Sequence, residues 1–193
     1  MNYKTVIGIA VIVILVIMGV SSYNNLVTQQ ETVDQAWAQV ENQYQRRADL
    51  VPNLVNTVKG AADFEKSTLT DVVEARSKAT SIQISADDLT EENIQRFQKA
   101  QKQLSGALSR LMVTVERYPQ LQANQNFLAL QDQLEGTENR ITTARMRFNR
   151  SAQEYNTSIQ RFPTNIFAGL FSFEKKAYFE AEAGAAKAPE VQF

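Results

Sequence analysis

The chain contains no cysteine and no histidine. Without cysteine there are no disulfides, thiolate metal sites or thiol nucleophiles, and the redox compartment is left open. Without histidine the commonest general base and the commonest metal ligand are missing, which removes most hydrolase triads and most zinc or di-iron sites. Charge of one sign is also lacking: 20 basic side chains balance 21 acidic ones, so nothing draws the whole molecule to nucleic acid. Only seven glycines and four prolines occur in 193 residues, a length suited to one ordinary domain. The abundant Gln, Ala, Leu and Glu favour helix over sheet. No calcium-loop pattern and no glycine-rich phosphate loop is present. These absences point to no cofactor, no metal and no catalytic site.

What is present begins with an uncharged apolar run after Lys4, from Thr5 to Ser22. Tyr3 to Tyr23 spans about the ~20 residues that a helix needs to cross a bilayer, with both tyrosines at interfacial positions. Residues 1–22 are therefore expected to be a retained single-pass transmembrane anchor. The competing reading is a signal peptide, cut after Ser21 or Ser22. Lys4 precedes the segment, and no basic residue follows until Arg46. The expected topology is thus an N-terminus in the cytoplasm and a body on the outer side of the membrane.

Residues 23–163 read as an antiparallel long-helix bundle of three to four helices, with helices at about 23–79, 91–118 and 125–161. On the first, Val33, Trp37, Val40, Tyr44, Val51, Leu54, Val58, Leu69 and Val72 keep a coiled-coil-like spacing. That phase continues past Pro52, so one helix kinked just before the proline is expected. Trp37 and Tyr44 fit a core better than a ligand platform. Asp87, Asp88, Glu91 and Glu92 place negative charge at a helix start, where the dipole favours it. Pro119 with Asn124 and Asn126 marks a turn, and Phe162-Pro163 a stop.

Residues 164–193 form an aromatic-rich tail containing Phe171, Phe173, Tyr178, Phe179 and Phe193. Aromatics at this density are costly to leave in water. The tail is expected either to strap the bundle or to dock on another subunit or the bilayer surface.

Charges also fall where the apolar stripe would place seam residues: Arg47, Glu65 and Arg76, then Glu138 and Arg145. Lone buried charges are expensive, so an interhelical polar network that includes these residues and Glu116 is expected. The alternative is a polar pocket for a small anion or a peptide terminus. Glu65, Glu116 and Glu138 are the only carboxylates considered for acid–base work, and nothing in their spacing pairs them. The basic residues Arg46-Arg47 and Arg145-Met-Arg147 are isolated and do not make a nucleic-acid surface.

Taken in order, several strings are distinctive. Tyr23-Asn-Asn-Leu-Val27 follows the anchor, and Tyr44-Gln-Arg-Arg-Ala-Asp-Leu-Val-Pro-Asn-Leu-Val55 lies within the first long helix. Then come Glu116-Arg-Tyr-Pro-Gln-Leu121, Glu138-Asn-Arg-Ile141, Ala144-Arg145, Phe148-Asn149, Tyr155-Asn156, Phe162-Pro163, Tyr178-Phe179-Glu180 and Pro189 to Phe193. The chain resembles the LemA family of bacterial membrane-anchored helical proteins over nearly its whole length. That resemblance implies an antiparallel bundle behind a membrane helix and carries no catalytic mechanism. Through magnetosome-associated relatives it leans toward membrane organisation.

The expected function is a non-enzymatic, membrane-anchored scaffold or interaction protein. Its expected partners are the membrane, further copies of itself or other membrane proteins, and not nucleic acid. The alternative is a signal-cleaved module that binds a peptide or small anion between its helices.

Overall fold

A computed structural model describes residues 2–60 and 64–180. Among them the chain is all-α, with six helices and one 3-10 turn. The order is α1 (Tyr3–Lys59), α2 (Lys66–Ser81), the 3-10 turn (Ala86–Asp88), α3 (Glu91–Val115), α4 (Pro119–Gln122), α5 (Gln125–Gln160) and α6 (Thr164–Leu170).

The first helix carries both the apolar run and half of the first core stripe. At 1.5 Å per residue its 57 residues extend about 85 Å. Val6 to Val20 expose their side chains, whereas Leu26, Val33, Trp37, Val40, Val51, Leu54 and Val58 are buried. One rod thus passes from an unpartnered apolar segment into the bundle without a break.

The helix expected over 23–79 is two helices. Pro52 lies inside α1, which continues to Lys59. Leu69 and Val72 keep the stripe's phase but belong to α2, which folds back beside α1 and buries them from its own axis. The continuation through Pro52 has a local cause. Proline has no N–H, so the carbonyl four residues earlier loses its helical donor. That carbonyl belongs to Ala48, and Arg76 Nε of α2 donates to it at 2.7 Å.

Side-chain contacts fix the directions. Arg47 on α1 meets Glu138 on α5, and ten residues back Trp37 meets Phe148, ten residues on, so these helices are antiparallel. Gln101 reaches the Ala79 carbonyl and Arg110 faces Asp71, so α2 and α3 are antiparallel too. The long helices α1, α2, α3 and α5 therefore run up, down, up and down, as short connections require.

Capping follows the sequence signals. The Thr90 hydroxyl accepts from the Asn93 amide at 3.3 Å, and Glu91 and Glu92 occupy the first turn of α3. Asn124 Oδ1 accepts from the amides of Asn126 (2.9 Å) and Phe127 (3.2 Å) at the start of α5. The core divides into two clusters. One, near the anchor, centres on Trp37, Phe97, Phe148, Tyr155 and Phe179. The other, at the far end, centres on Leu54, Val72, Leu104, Leu111 and Phe127.

Candidate functional site

Between the two apolar clusters lies a polar layer. On α1 it falls between Tyr44 and Val51, and on α5 between Leu134 and Ile141. Arg47 is its centre, only 1% exposed, and it pairs through Nη1 with the Glu138 carboxylate. Nη1 also donates to Ser105 Oγ at 2.7 Å, and Nη2 to Gln101 Oε1 at 2.7 Å and to the Gln101 carbonyl at 3.2 Å. The guanidinium lies 5.1 Å from the centre of the Tyr44 ring, within cation–π range. Four of its contacts are thus satisfied, and only Nε lacks a hydrogen-bond partner among the described residues. Gln101 is itself buried and passes the layer on to α2 through the Ala79 carbonyl at 3.2 Å. An arginine fork, a glutamine and a carboxylate in one plane fix the register of four helices, because sliding any of them buries unpaired groups.

The other residues of the expected network are placed apart from this layer. Arg76 faces the Ala48 carbonyl, not a carboxylate. Glu65 precedes α2 and pairs with Arg117 at 2.9 Å, where both side chains are largely exposed. Glu116 is exposed and makes no ion pair among the described residues. Arg145 Nη2 donates to the Glu180 carbonyl at 2.8 Å and its guanidinium lies 5.0 Å from the Phe179 ring centre. The six residues form several separate contacts because a helix face offers each charge whatever acceptor lies level with it, carbonyls included. Among the described residues no three acidic, His or Cys side chains are grouped to hold a metal. Glu65, Glu116 and Glu138 do not converge.

Beside the layer runs an open groove of about 700 Å³ between α3 and α5, lined by Gln98, Lys102, Ser105, Glu138, Thr142 and Arg145. Its end toward the anchor is crossed by the tail. Residues 176–180 run extended and antiparallel to α5, locked by two asparagines that sequence reasoning quoted without giving them a role. Asn156 Nδ2 donates to the Lys176 carbonyl (2.7 Å) and its Oδ1 accepts from the Lys176 amide (2.9 Å). Asn149 makes the same pair of bonds with Phe179, at 2.9 and 2.8 Å. Seven helical residues rise about 10.5 Å and three extended residues about 10 Å, so a heptad matches the strand's step. The signal was the repeated aromatic–Asn pair, Phe148-Asn149 and Tyr155-Asn156. Each aromatic enters the core and each amide turns to the tail.

The aromatic tail residues divide accordingly. Phe179 is buried against Trp37, Phe97 and Phe148, so it straps the bundle and is not available for docking. Phe173 is half-buried and Phe171 and Tyr178 are exposed. Phe193 lies outside the described residues.

Nearer the anchor, Lys176 is buried and donates through Nζ to the Ala86 carbonyl at 2.8 Å. Around it, burial raises the Asp34 carboxyl above its usual range, opposed by the Lys176 charge and reinforced by Asp87 and Glu31. Burial, then the charges of Asp34 and Glu174, pushes Tyr155 up to about 12. Tyr155, Asp87, Glu174 and Lys176 line a small pocket of about 160 Å³.

Among the described residues no catalytic groups converge, and the bundle continues from a helix long and apolar enough to cross a membrane, so the class is an all-α protein with one candidate membrane span. The sequence pattern of the LemA family matches residues 36–193, and the chain belongs to that family. Among its relatives, magnetosome protein MamQ 2 of Paramagnetospirillum magneticum is 27% identical over 192 residues, covering 91% of this chain and 71% of the relative. Magnetosome protein MamQ of Magnetospirillum gryphiswaldense is 30% identical over 182 residues, covering 84% and 66%. Protein LemA of Metamycoplasma hominis is 24% identical over 158 residues, covering 82% and 68%. None of these names carries an enzymatic activity.

Proposed function

We propose that this protein is a non-enzymatic scaffold that holds a rigid four-helix body at a membrane surface and assembles there with copies of itself or with other membrane proteins. The observation that supports this most directly is the single helix α1, in which the apolar segment and the core-bearing half are continuous. A rigid junction confines the body to the membrane surface and restricts its tilt, which raises its effective concentration toward partners there. The magnetosome relatives, named for a membrane compartment, favour the same reading. Lys4 before the segment favours a cytoplasmic N-terminus and a body outside the inner membrane.

Native mass of the full chain extracted in a mild detergent tests the proposal. A discrete multimer, or a stable complex with a second membrane protein, is the expected result. A lone monomer that carries no other protein overturns it. A signal-cleaved module is disfavoured because a cut after Ser21 or Ser22 would divide a helix whose residues on both sides, Gly19 and Tyr23, touch the tail segment. Intact mass that includes Met1–Val20 excludes that reading.

A further inference from the structure

We infer that α6 and the residues flanking it lie in the lipid bilayer's boundary layer, as an apolar collar around the exit of the anchor helix. This inference rests on the anchor reading of α1.

Its first support is contact. A Cβ on Gly19 would lie 3.0 Å from the Phe167 ring, so the absence of a side chain on α1 is what admits that ring. Four residues further on, Tyr23 meets Phe171 edge-on, at 5.0 Å between ring centres. The segment is therefore held level with the last turn of the apolar run.

The second support is exposure. Ile166 is 59% and Leu170 72% exposed, one helical turn apart on the side of α6 away from the bundle, and Phe162, in the turn just before α6, is 80% exposed. Such a surface is costly in water. It adjoins the exposed apolar surface of the anchor, since Phe167 sits against Gly19; beyond Val20 that surface thins on α1 to Tyr23 and Val27. Leu26 and Val33, further along α1, are already buried by the bundle. At this level the exposed apolar surface is thus shared, α6 adding to what remains on α1.

The third support is length. Thr5 to Val20 rises only about 22 Å, short of the ~30 Å hydrocarbon layer. With Tyr3 at one boundary, the other falls near Tyr23, beyond the apolar run. The collar supplies apolar surface at that depth, where α1 itself has turned largely polar. The occupant is therefore the acyl and headgroup boundary of a bilayer. Short amphipathic segments bind there through buried apolar area.

The absence of cysteine makes the test direct, because single thiols can be introduced and labelled with an environment-sensitive fluorophore. The full chain bearing Ile166→Cys or Leu170→Cys is reconstituted in vesicles of phosphatidylethanolamine and phosphatidylglycerol. Ile12→Cys serves as the anchor control and Asp132→Cys as the water-facing control, with helix content checked by circular dichroism. Labels at 166 and 170 are expected to emit to the blue of the label at 132 and to lose emission to lipid carrying a nitroxide high on its acyl chain. If they respond to aqueous iodide like the label at 132, the collar is in water and the inference fails. If they respond to neither quencher, protein covers the row and the inference fails equally. The label at Ile12 separates the two readings: its quenching by lipid with none at 166 and 170 overturns the collar alone, and no lipid quenching at any of the three overturns the anchor as well.

Discussion

Arg76 donates through Nε to the Ala48 carbonyl at 2.7 Å, the carbonyl that Pro52 leaves without a helical donor. An arginine from the neighbouring helix thus repairs the defect that a proline makes, which keeps α1 intact to Lys59. Removing Arg76 strands a carbonyl on a residue that is only 2% exposed. Arg76→Ala is expected to cost about 1–3 kcal/mol. Pro52 is exposed, so Pro52→Ala opens no cavity and restores the missing N–H. In that background Arg76→Ala should cost less, by at least about 0.5 kcal/mol. Denaturant unfolding of the four variants measures the difference, and equal costs in both backgrounds would reject the repair.

The Arg47–Glu138 pair makes a second test. Glu138 is nearly half-exposed, which taken alone suggests a weak surface pair. Its partner is fully buried, and a buried cation that loses its counter-charge is expensive. Glu138→Gln is therefore expected to cost roughly 2–3 kcal/mol, the remaining bonds to Ser105 and Gln101 keeping it below the full value for an isolated charge. In Arg47→Met, an apolar side chain of similar length, the same Glu138 change should be nearly neutral. A thermal-melting cycle of these variants reads the coupling directly, and strict additivity would show that Glu138 does not neutralise Arg47.

Much of this arrangement was legible in the sequence. Val33, Trp37, Val40 and Tyr44 announce a buried stripe by spacing alone, and Asp87, Asp88, Glu91 and Glu92 announce the start of α3 by charge. The break after Lys59 was not legible, because Leu69 and Val72 continue the stripe in phase and a periodicity cannot say whether the axis has reversed. Charge position told that Arg47 must be paired. It did not tell that Arg76 and Arg145 would find main-chain carbonyls, since acceptors of that kind are present at every residue. The exposed surface at α6 was hidden for a related reason: Phe162, Ile166 and Leu170 read like core residues until the fold shows that none of the described residues covers them.

The asparagine clamps predict how the tail is released. Each amide satisfies both main-chain groups of one tail residue, so truncating it strands a donor and an acceptor together. Asn149→Ala and Asn156→Ala are each expected to cost about 2 kcal/mol or more. Asp in either place should be nearly as damaging, since a carboxylate keeps the acceptor but loses the donor. Because Phe179 completes the cluster around Trp37, the chain's single tryptophan, the Asn149 variants should also shift its emission. Unchanged melting and unchanged emission would mean that the asparagine amides do not hold the tail, leaving it to Phe179 and its other polar contacts.

Asp34 gives a prediction whose sign depends on pH. Burial raises its carboxyl above the ordinary 3.8, and Oδ1 is enclosed without a hydrogen-bond partner among the described residues. The folded state therefore binds the Asp34 proton more tightly than the unfolded state. Stability falls as pH rises from about the unfolded value through the raised one. Asp34→Asn removes that ionisation and is expected to raise the melting temperature at neutral pH. Below the ordinary carboxyl range both states of the native chain carry the proton, so the advantage from removed ionisation should disappear there. The Lys176 charge opposes the trend, since it favours the ionised carboxylate and would itself lose a nearby counter-charge. If melting curves across the acid range show Asp34→Asn destabilising at neutral pH, attraction to Lys176 outweighs burial, and the carboxylate serves to hold the tail's buried lysine in place.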